Sequence, residues 1–139
     1  DFARLLRPGG MTRDALAAAL AEANCNSQIE IAEPLADLEN PVAPGQLASH
    51  YAPKAPVRLM AKTSNTGEEL IGFGTVSGAG KLALNLSPSG DLVEAAANLF
   101  SMLHAVDAAD IAKIAIAPIP DTGLGEAIND RLRRAAAPR

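Results

Sequence analysis

Prolines between residues 34 and 56 constrain the fold of this chain more than any other feature of its sequence. They are Pro34, Pro41, Pro44, Pro53 and Pro56. Each lacks a backbone N–H and disfavours helix at the residue before it, so we expect an extended, irregular segment apart from a brief alternating strand at Gln28–Ile31. A segment of this kind usually joins two folding units or serves a function. The sequence therefore predicts three parts: residues 1–24, a Pro-rich interdomain linker at 25–56, and a folding unit at 57–139.

Only the third part carries enough elements to form a domain. Its strand candidates cover residues 57–61, 69–73, 81–86 and 113–116, and its helices begin after Asp91 and near Leu124. This order predicts an α/β layered domain with a short, mostly parallel sheet and two main helices. Because residues 62–68 are too few for a parallel crossover, which needs about a dozen residues, we expect at least one antiparallel pair and hence a mixed sheet.

The first part contains too little to stand alone. A strand is predicted at residues 2–7, Pro8-Gly9-Gly10 interrupts the chain, and a helix is expected from its N-cap Thr12 to Asn24. One strand and one short helix cannot bury their own apolar faces. We therefore interpret this part as the end of a larger domain, and Asp1, which is not a Met, as either an artificial boundary or a cut end.

Composition excludes several classes of function. The net charge is −4, with 12 basic and 16 acidic residues, so tight autonomous binding of nucleic acid is not expected. The single cysteine, Cys25, excludes an intramolecular disulfide, and with two distant histidines, His50 and His104, it makes no metal-ligand set. No run of eighteen apolar residues is present, so no membrane span is expected, and no secretory leader opens the sequence.

Candidate binding residues lie in two loops. His50 and Tyr51 form the one aromatic-plus-imidazole pair, within the proline-bounded segment 44–53, and both can stack on and hydrogen-bond a ligand. The alternative, a rigid spacer whose Tyr packs on its own domain, remains open. Arg7 precedes a Pro-Gly turn and can either bind phosphate or lie in solvent. The glycine-rich residues 72–81 lack the spacing of a phosphate loop and of a dinucleotide fingerprint.

Several ordered motifs resemble one known family. They are Leu6-Arg7-Pro8-Gly9-Gly10, Ser49-His50-Tyr51-Ala52-Pro53, Asn85-Leu86-Ser87, and Pro118-Ile119-Pro120-Asp121-Thr122-Gly123-Leu124-Gly125-Glu126-Ala127-Ile128-Asn129-Asp130-Arg131-Leu132. Together they resemble the C-terminal part of the two-domain L-threonylcarbamoyladenylate synthases, over nearly the whole chain. The resemblance implies the last strand and helix of a YrdC-like α+β catalytic domain, a linker, and a Rossmann-like accessory domain.

This resemblance implies a cytoplasmic nucleotidyltransferase of tRNA modification. The family joins L-threonine, bicarbonate and ATP, supplied with magnesium, into threonylcarbamoyl-AMP and diphosphate, and the product serves to make threonylcarbamoyladenosine in tRNA. The Lys-x-Arg and Ser-x-Asn signature of the YrdC-like catalytic domain is absent from this sequence. We therefore expect no catalytic residue, no metal site and no resident cofactor in this part of the protein, which would not catalyse the synthesis by itself.

The resemblance also assigns nucleotide contacts. Arg7 matches a family arginine that contacts the nucleotide, and His50 and Tyr51 match a segment that folds over the catalytic pocket as a lid. Gln46 and Ala48 depart from the family, which typically has Met and often Tyr at these positions. A different class of function remains as an alternative: a stand-alone α/β module that binds a nucleotide or a protein, with Asp121-Thr122-Gly123 at the rim of its sheet.

Overall fold

The structure is a computed structural model that describes residues 2–23, 28–31 and 52–137. Within these residues the chain forms two units, the first built from elements β1 to β2 and the second from β3 to α3. The elements in chain order are β1 (Phe2–Leu5), α1 (Arg13–Glu22), β2 (Gln28–Ile31), β3 (Val57–Arg58), β4 (Glu69–Ile71), α2 (Leu92–Ala108), β5 (Ile114–Ile116) and α3 (Leu124–Ala135). None of the helices within the described ranges is long and apolar enough to cross a membrane.

The first unit is a parallel strand–helix–strand arrangement. β1 pairs with β2 in parallel, with Phe2 opposite Gln28 and Leu5 opposite Ile31. α1 is the crossover helix, and its predicted N-cap is confirmed because Thr12 Oγ1 accepts a hydrogen bond from the Ala15 N–H at 3.2 Å. No residue of α1 is buried, which leaves this helix without an apolar core of its own.

The second unit confirms the α/β layered fold and corrects its predicted pairing. The sheet has the order β3-β5-β4, and both outer strands pair in parallel with β5. The argument for an antiparallel pair assumed that β3 and β4 are neighbours, but β5 lies between them, so the short segment 59–68 does not have to join adjacent strands. In the residues the structure describes, antiparallel pairing is confined to isolated bridges, such as Leu70 with Ala79.

The predicted strand at residues 81–86 is wrong. Ala83 has a φ of 49°, in the left-handed region that a strand does not use. The backbone turns there because the carboxylate of Glu69, which is 2% exposed, accepts hydrogen bonds from the N–H of Leu82 at 3.0 Å and of Ala83 at 2.7 Å. A buried carboxylate requires such donors, and this requirement overrides the alternating pattern of the segment.

Both faces of the central strand β5 are covered, as the continuous apolar run at residues 114–117 predicts. On one face its isoleucines pack with α2 and α3 in one apolar cluster, whereas Ala115 packs on the other face with Leu70 and Ala61. The loop at residues 76–79 covers this second face through Val76 and Ala79. The apolar residues of α2 recur at helical spacing, which predicts one buried stripe, and the structure buries Ala95, Leu99, Leu103 and Val106.

Candidate functional site

The most informative contact of the structure joins the first unit to the last helix. Arg7 Nε lies 3.3 Å from Asp130 Oδ2 of α3, and the two side chains are only 22% and 18% exposed. Asp130 also accepts hydrogen bonds from Arg134, at 3.0 Å from Nε and 3.3 Å from Nη2. Arg7, predicted to contact a nucleotide, is thus held by a carboxylate 123 residues away in the sequence.

Helical spacing explains how α3 presents these groups. Asp130 and Arg134 are four residues apart and therefore adjacent on the helix surface, as their spacing predicts. Glu126 lies one turn before Asp130 and pairs with Arg13 at 3.8 Å. One side of α3 thus offers two carboxylates to two arginines of the first unit.

Sequence reasoning missed these cross-contacts. The pairing of Asp130 with Arg134 follows from local spacing, but nothing local indicates that Arg7 or Arg13 meets α3. An alternation of acidic and basic residues on a helix is normally a solvated face. One sequence feature could have indicated the contact: two acidic residues, Glu126 and Asp130, lie one turn apart in a helix that ends in basic residues.

His50 and Tyr51, the predicted lid residues, lie outside the described residues, and so does the rest of the linker up to Tyr51 apart from β2. The described end of the linker is anchored to the second unit. Pro53 and Ala55 are buried, and the Lys54 N–H donates to Asp107 Oδ1 at 2.9 Å. A groove of about 260 Å³ runs between this linker end and the end of α3, and it is lined by Pro53, Lys54, Ala55, Pro56, Val57, Ala135, Ala136 and Ala137.

The rim suggested for a stand-alone binding module is partly used for structure. Asp121, Thr122 and Gly123 are exposed, at the loop between β5 and α3. Asn129 Nδ2 donates to the Ile119 carbonyl and to Asp121 Oδ1, both at 3.1 Å, which ties this loop to α3. The side chain of Asp121 therefore serves the fold.

The glycine-rich loop after β4 is required by packing. A Cβ at Gly72 would lie 2.3 Å from the Val76 carbonyl oxygen, and one at Gly78 would lie 1.9 Å from that of Leu84. Such close backbone approaches admit only glycine. This agrees with the spacing of the glycines in residues 72–81, which does not fit a phosphate loop.

Charged groups of the second unit serve local structure. Arg58 donates to both carboxylate oxygens of Glu68, at 3.0 and 2.7 Å, and the Asn65 N–H also donates to this carboxylate. The hydrogen bond from Arg58 and then that from Asn65 lower the pKa of Glu68 to about 2.

Across residues 2–23, 28–31 and 52–137, no group of three His, Cys, Asp or Glu side chains is arranged to hold a metal ion.

Comparison with known proteins identifies a family model and a relative that match this chain. A family model described as the C-terminal domain of threonylcarbamoyl-AMP synthase matches residues 11–137. The threonylcarbamoyl-AMP synthase of Bacillus subtilis (strain 168) is 30% identical over 155 residues, an alignment that covers 100% of this chain and 43% of that protein.

A solved structure is similar over the same extent. The crystal structure of P. abyssi Sua5 complexed with L-threonine matches with a TM-score of 0.69 at 26% identity, over 96% of this chain and 42% of that chain. The chain therefore spans about two fifths of the length of these two relatives.

Proposed function

The chain belongs to the family of C-terminal domains of threonylcarbamoyl-AMP synthase, and from this premise we propose that it is the accessory domain and lid-linker of such an enzyme. The reaction joins L-threonine, bicarbonate and ATP into threonylcarbamoyl-AMP and releases diphosphate. The product would supply the threonylcarbamoyl group of a modified adenosine in tRNA. A cytoplasmic location belongs to the same proposal.

One observation carries the proposal. The family match extends over residues 11–137, and therefore includes α1, the linker and the second unit. A protein that had kept only the α/β domain for another purpose would have no reason to keep the linker as well. The match across the linker favours an enzyme accessory role over a stand-alone binding module.

In this proposal the catalytic residues belong to another domain, and this part of the protein contributes none. ATP with its magnesium, threonine and bicarbonate would bind in a catalytic domain upstream of Asp1. The L-threonine bound to the P. abyssi relative supports threonine as one substrate. The net charge of −4 favours delivery of the product to a separate tRNA-modifying system over direct, tight tRNA binding.

Nucleotide contacts are proposed for Arg7, His50 and Tyr51. A guanidinium recognises phosphate through its fork of N–H donors. His50 and Tyr51 would close over the bound nucleotide and exclude water from the product, a mixed anhydride that hydrolyses readily. The buried residues Pro53 and Ala55 and the Lys54 contact to Asp107 give this lid a fixed point on the second unit.

The first experiment determines the intact mass and N-terminal sequence of the natural protein and assays that full-length protein for threonylcarbamoyl-AMP. We expect a product that requires ATP, threonine and bicarbonate together, and no product from residues 1–139 alone. The proposal is refuted if the full-length protein forms no such product. Heat released when ATP or AMP is titrated into residues 1–139 would favour the stand-alone module instead.

The lid is tested separately in the full-length protein. His50→Ala and Tyr51→Ala are expected to increase hydrolysis of threonylcarbamoyl-AMP and so lower its yield for each ATP consumed, since water would reach the pocket. Ser49→Ala, in the same segment, is the matched control and should keep the yield of the unaltered protein. Unchanged yields in both lid variants would contradict the lid.

A further inference from the structure

We propose that Asp107 of α2 is a positioning residue that sets the direction in which the linker leaves the second unit. This inference rests on the proposed function, in which His50 and Tyr51 close over the bound nucleotide. It gives the accessory domain a part in protecting the product from water, through one carboxylate that holds the linker at Lys54.

The first argument is the shortage of backbone donors at the end of the linker. The Lys54 N–H donates to Asp107 Oδ1 at 2.9 Å. Pro53 and Pro56 have no N–H, which leaves two backbone donors, those of Lys54 and the buried Ala55, in this stretch of four residues. Asp107 therefore accepts one of the two backbone donors by which this stretch can be attached to the second unit.

The second argument is that the chain between this contact and the lid is stiff. Tyr51 precedes Lys54 by three residues, which span at most about 11 Å. The ring of Pro53 fixes its own φ and disfavours the helical region for Ala52, and Pro53 is buried. Few dihedral angles are free between Lys54 and Tyr51, so an orientation imposed at Lys54 is passed on to the lid.

The third argument concerns the rigidity of the helix end that carries Asp107. It is the penultimate residue of α2 and follows Val106, which is fully buried. Its own carbonyl accepts a hydrogen bond from the Asp110 N–H at 3.2 Å. The Val106 carbonyl accepts one from the Ile111 N–H at 3.1 Å, which closes the helix end. The carboxylate therefore holds the linker from a fixed backbone.

Local helix chemistry does not account for an acidic residue at position 107. The C-terminal end of a helix carries a partial negative charge that favours basic residues, yet α2 has none in its last turn. Asp110 also opposes this preference, but its φ of 53° is one that Asp and Asn tolerate better than most residues. For Asp107 the contact with Lys54 supplies the reason.

Three substitutions separate the hydrogen bond from the charge. Asp107→Ala removes the acceptor, whereas Asp107→Asn removes the charge and keeps an oxygen that can accept from the Lys54 N–H. Asp110→Asn is the matched control, because it removes a charge from the same helix end and leaves the contact with the linker intact.

The test uses the full-length protein and measures the yield of threonylcarbamoyl-AMP for each ATP consumed. Asp107→Ala should raise the loss of product to hydrolysis roughly two- to tenfold, the factor that corresponds to one intramolecular hydrogen bond. Asp107→Asn and Asp110→Asn should keep the yield of the unaltered protein. In a Tyr51→Ala background, Asp107→Ala should have no further effect on the yield.

An unchanged yield in Asp107→Ala overturns the inference, and so does an equal loss in Asp110→Asn or a full additional loss in the Tyr51→Ala background. If Asp107→Ala unfolds, Pro53→Ala frees the same stretch without altering α2 and should lower the yield; an unchanged yield there overturns the inference too. Failure of the proposed function looks different: the unaltered protein forms no threonylcarbamoyl-AMP, or His50→Ala and Tyr51→Ala leave the yield unchanged.

Discussion

Replacement of Gly125 by alanine tests how closely α3 must approach the loop that precedes it. Gly125 is the second residue of α3 and is buried. A Cβ at this position would lie 1.8 Å from the Pro120 carbonyl oxygen and 3.0 Å from its carbonyl carbon. Because the obstructing atoms belong to the backbone, the loop or the helix must move by about 1 Å or more before alanine fits.

The expected cost follows from opposing effects. Alanine favours helix over glycine by ~0.5–1 kcal/mol, which stabilises the variant. Overpacking costs ~1–3 kcal/mol. A loop shift would also stretch the two hydrogen bonds of Asn129 to Ile119 and Asp121, each of which contributes ~1 kcal/mol. The balance is a destabilisation of about 1–3 kcal/mol.

Urea unfolding followed by far-UV circular dichroism measures this difference. Gly10→Ala is the matched control, because a Cβ there meets nothing within 4 Å and should change the free energy of unfolding by less than about 0.5 kcal/mol. If Gly125→Ala were as stable as the unaltered protein, the close approach of α3 to Pro120 would not be a constraint on the fold, and the reasoning would be refuted.

Other predictions concern the core, a helix cap and an ion pair. Leu99→Ala, at a side chain that is 2% exposed, should lower the free energy of unfolding by ~2–5 kcal/mol in urea, and a loss below ~1 kcal/mol would contradict the core assignment. Asp91→Ala should cost ~0.5–2 kcal/mol by the same assay, because Asp91 Oδ1 caps α2 at 2.7 Å, and more than Thr12→Ala, because α1 buries no residue. NMR titration of Arg58→Gln should show the pKa of Glu68 rising from about 2 toward its ordinary value of 4.5, and an unchanged pKa would contradict the assigned cause. Because the folded-state pKa of Glu68 is lowered, the pair stabilises the fold fully above about pH 4.5 and loses that contribution as the pH falls toward 2, so acid unfolding should depend less on pH in the variant.

Local chemistry made the helices predictable. Thr12 and Asp91 are N-caps because their short side chains accept backbone N–H groups that no helical turn can satisfy, and this depends only on neighbouring residues. The buried stripe of α2 follows in the same way from its repeat of apolar residues. The continuous apolar run at residues 114–117 likewise indicated a strand covered on both faces.

The errors arose where a distant residue decides the backbone. Residues 81–86 alternate as a strand should, but the sequence does not reveal that the carboxylate of Glu69 is buried beside them and requires their N–H groups. Similarly, the length of the segment between β3 and β4 suggested that these strands pair, whereas β5, about 40 residues later, separates them. Pairing order depends on the whole sheet, so local patterns cannot supply it.

The candidate site shows the same limit at the level of single side chains. The residue type and the Pro-Gly turn left Arg7 between phosphate binding and solvation, and the family resemblance made it a candidate nucleotide contact. The sequence does not reveal the partner of Arg7, because Asp130 lies 123 residues away and pairs with Arg134 in its own helix. Local spacing therefore explains the ion pair of Asp130 with Arg134 but not its contact with Arg7. A carboxylate that is already paired within its own helix can still form an ion pair with an arginine of a separate unit. Its role in the site then depends on that second arginine.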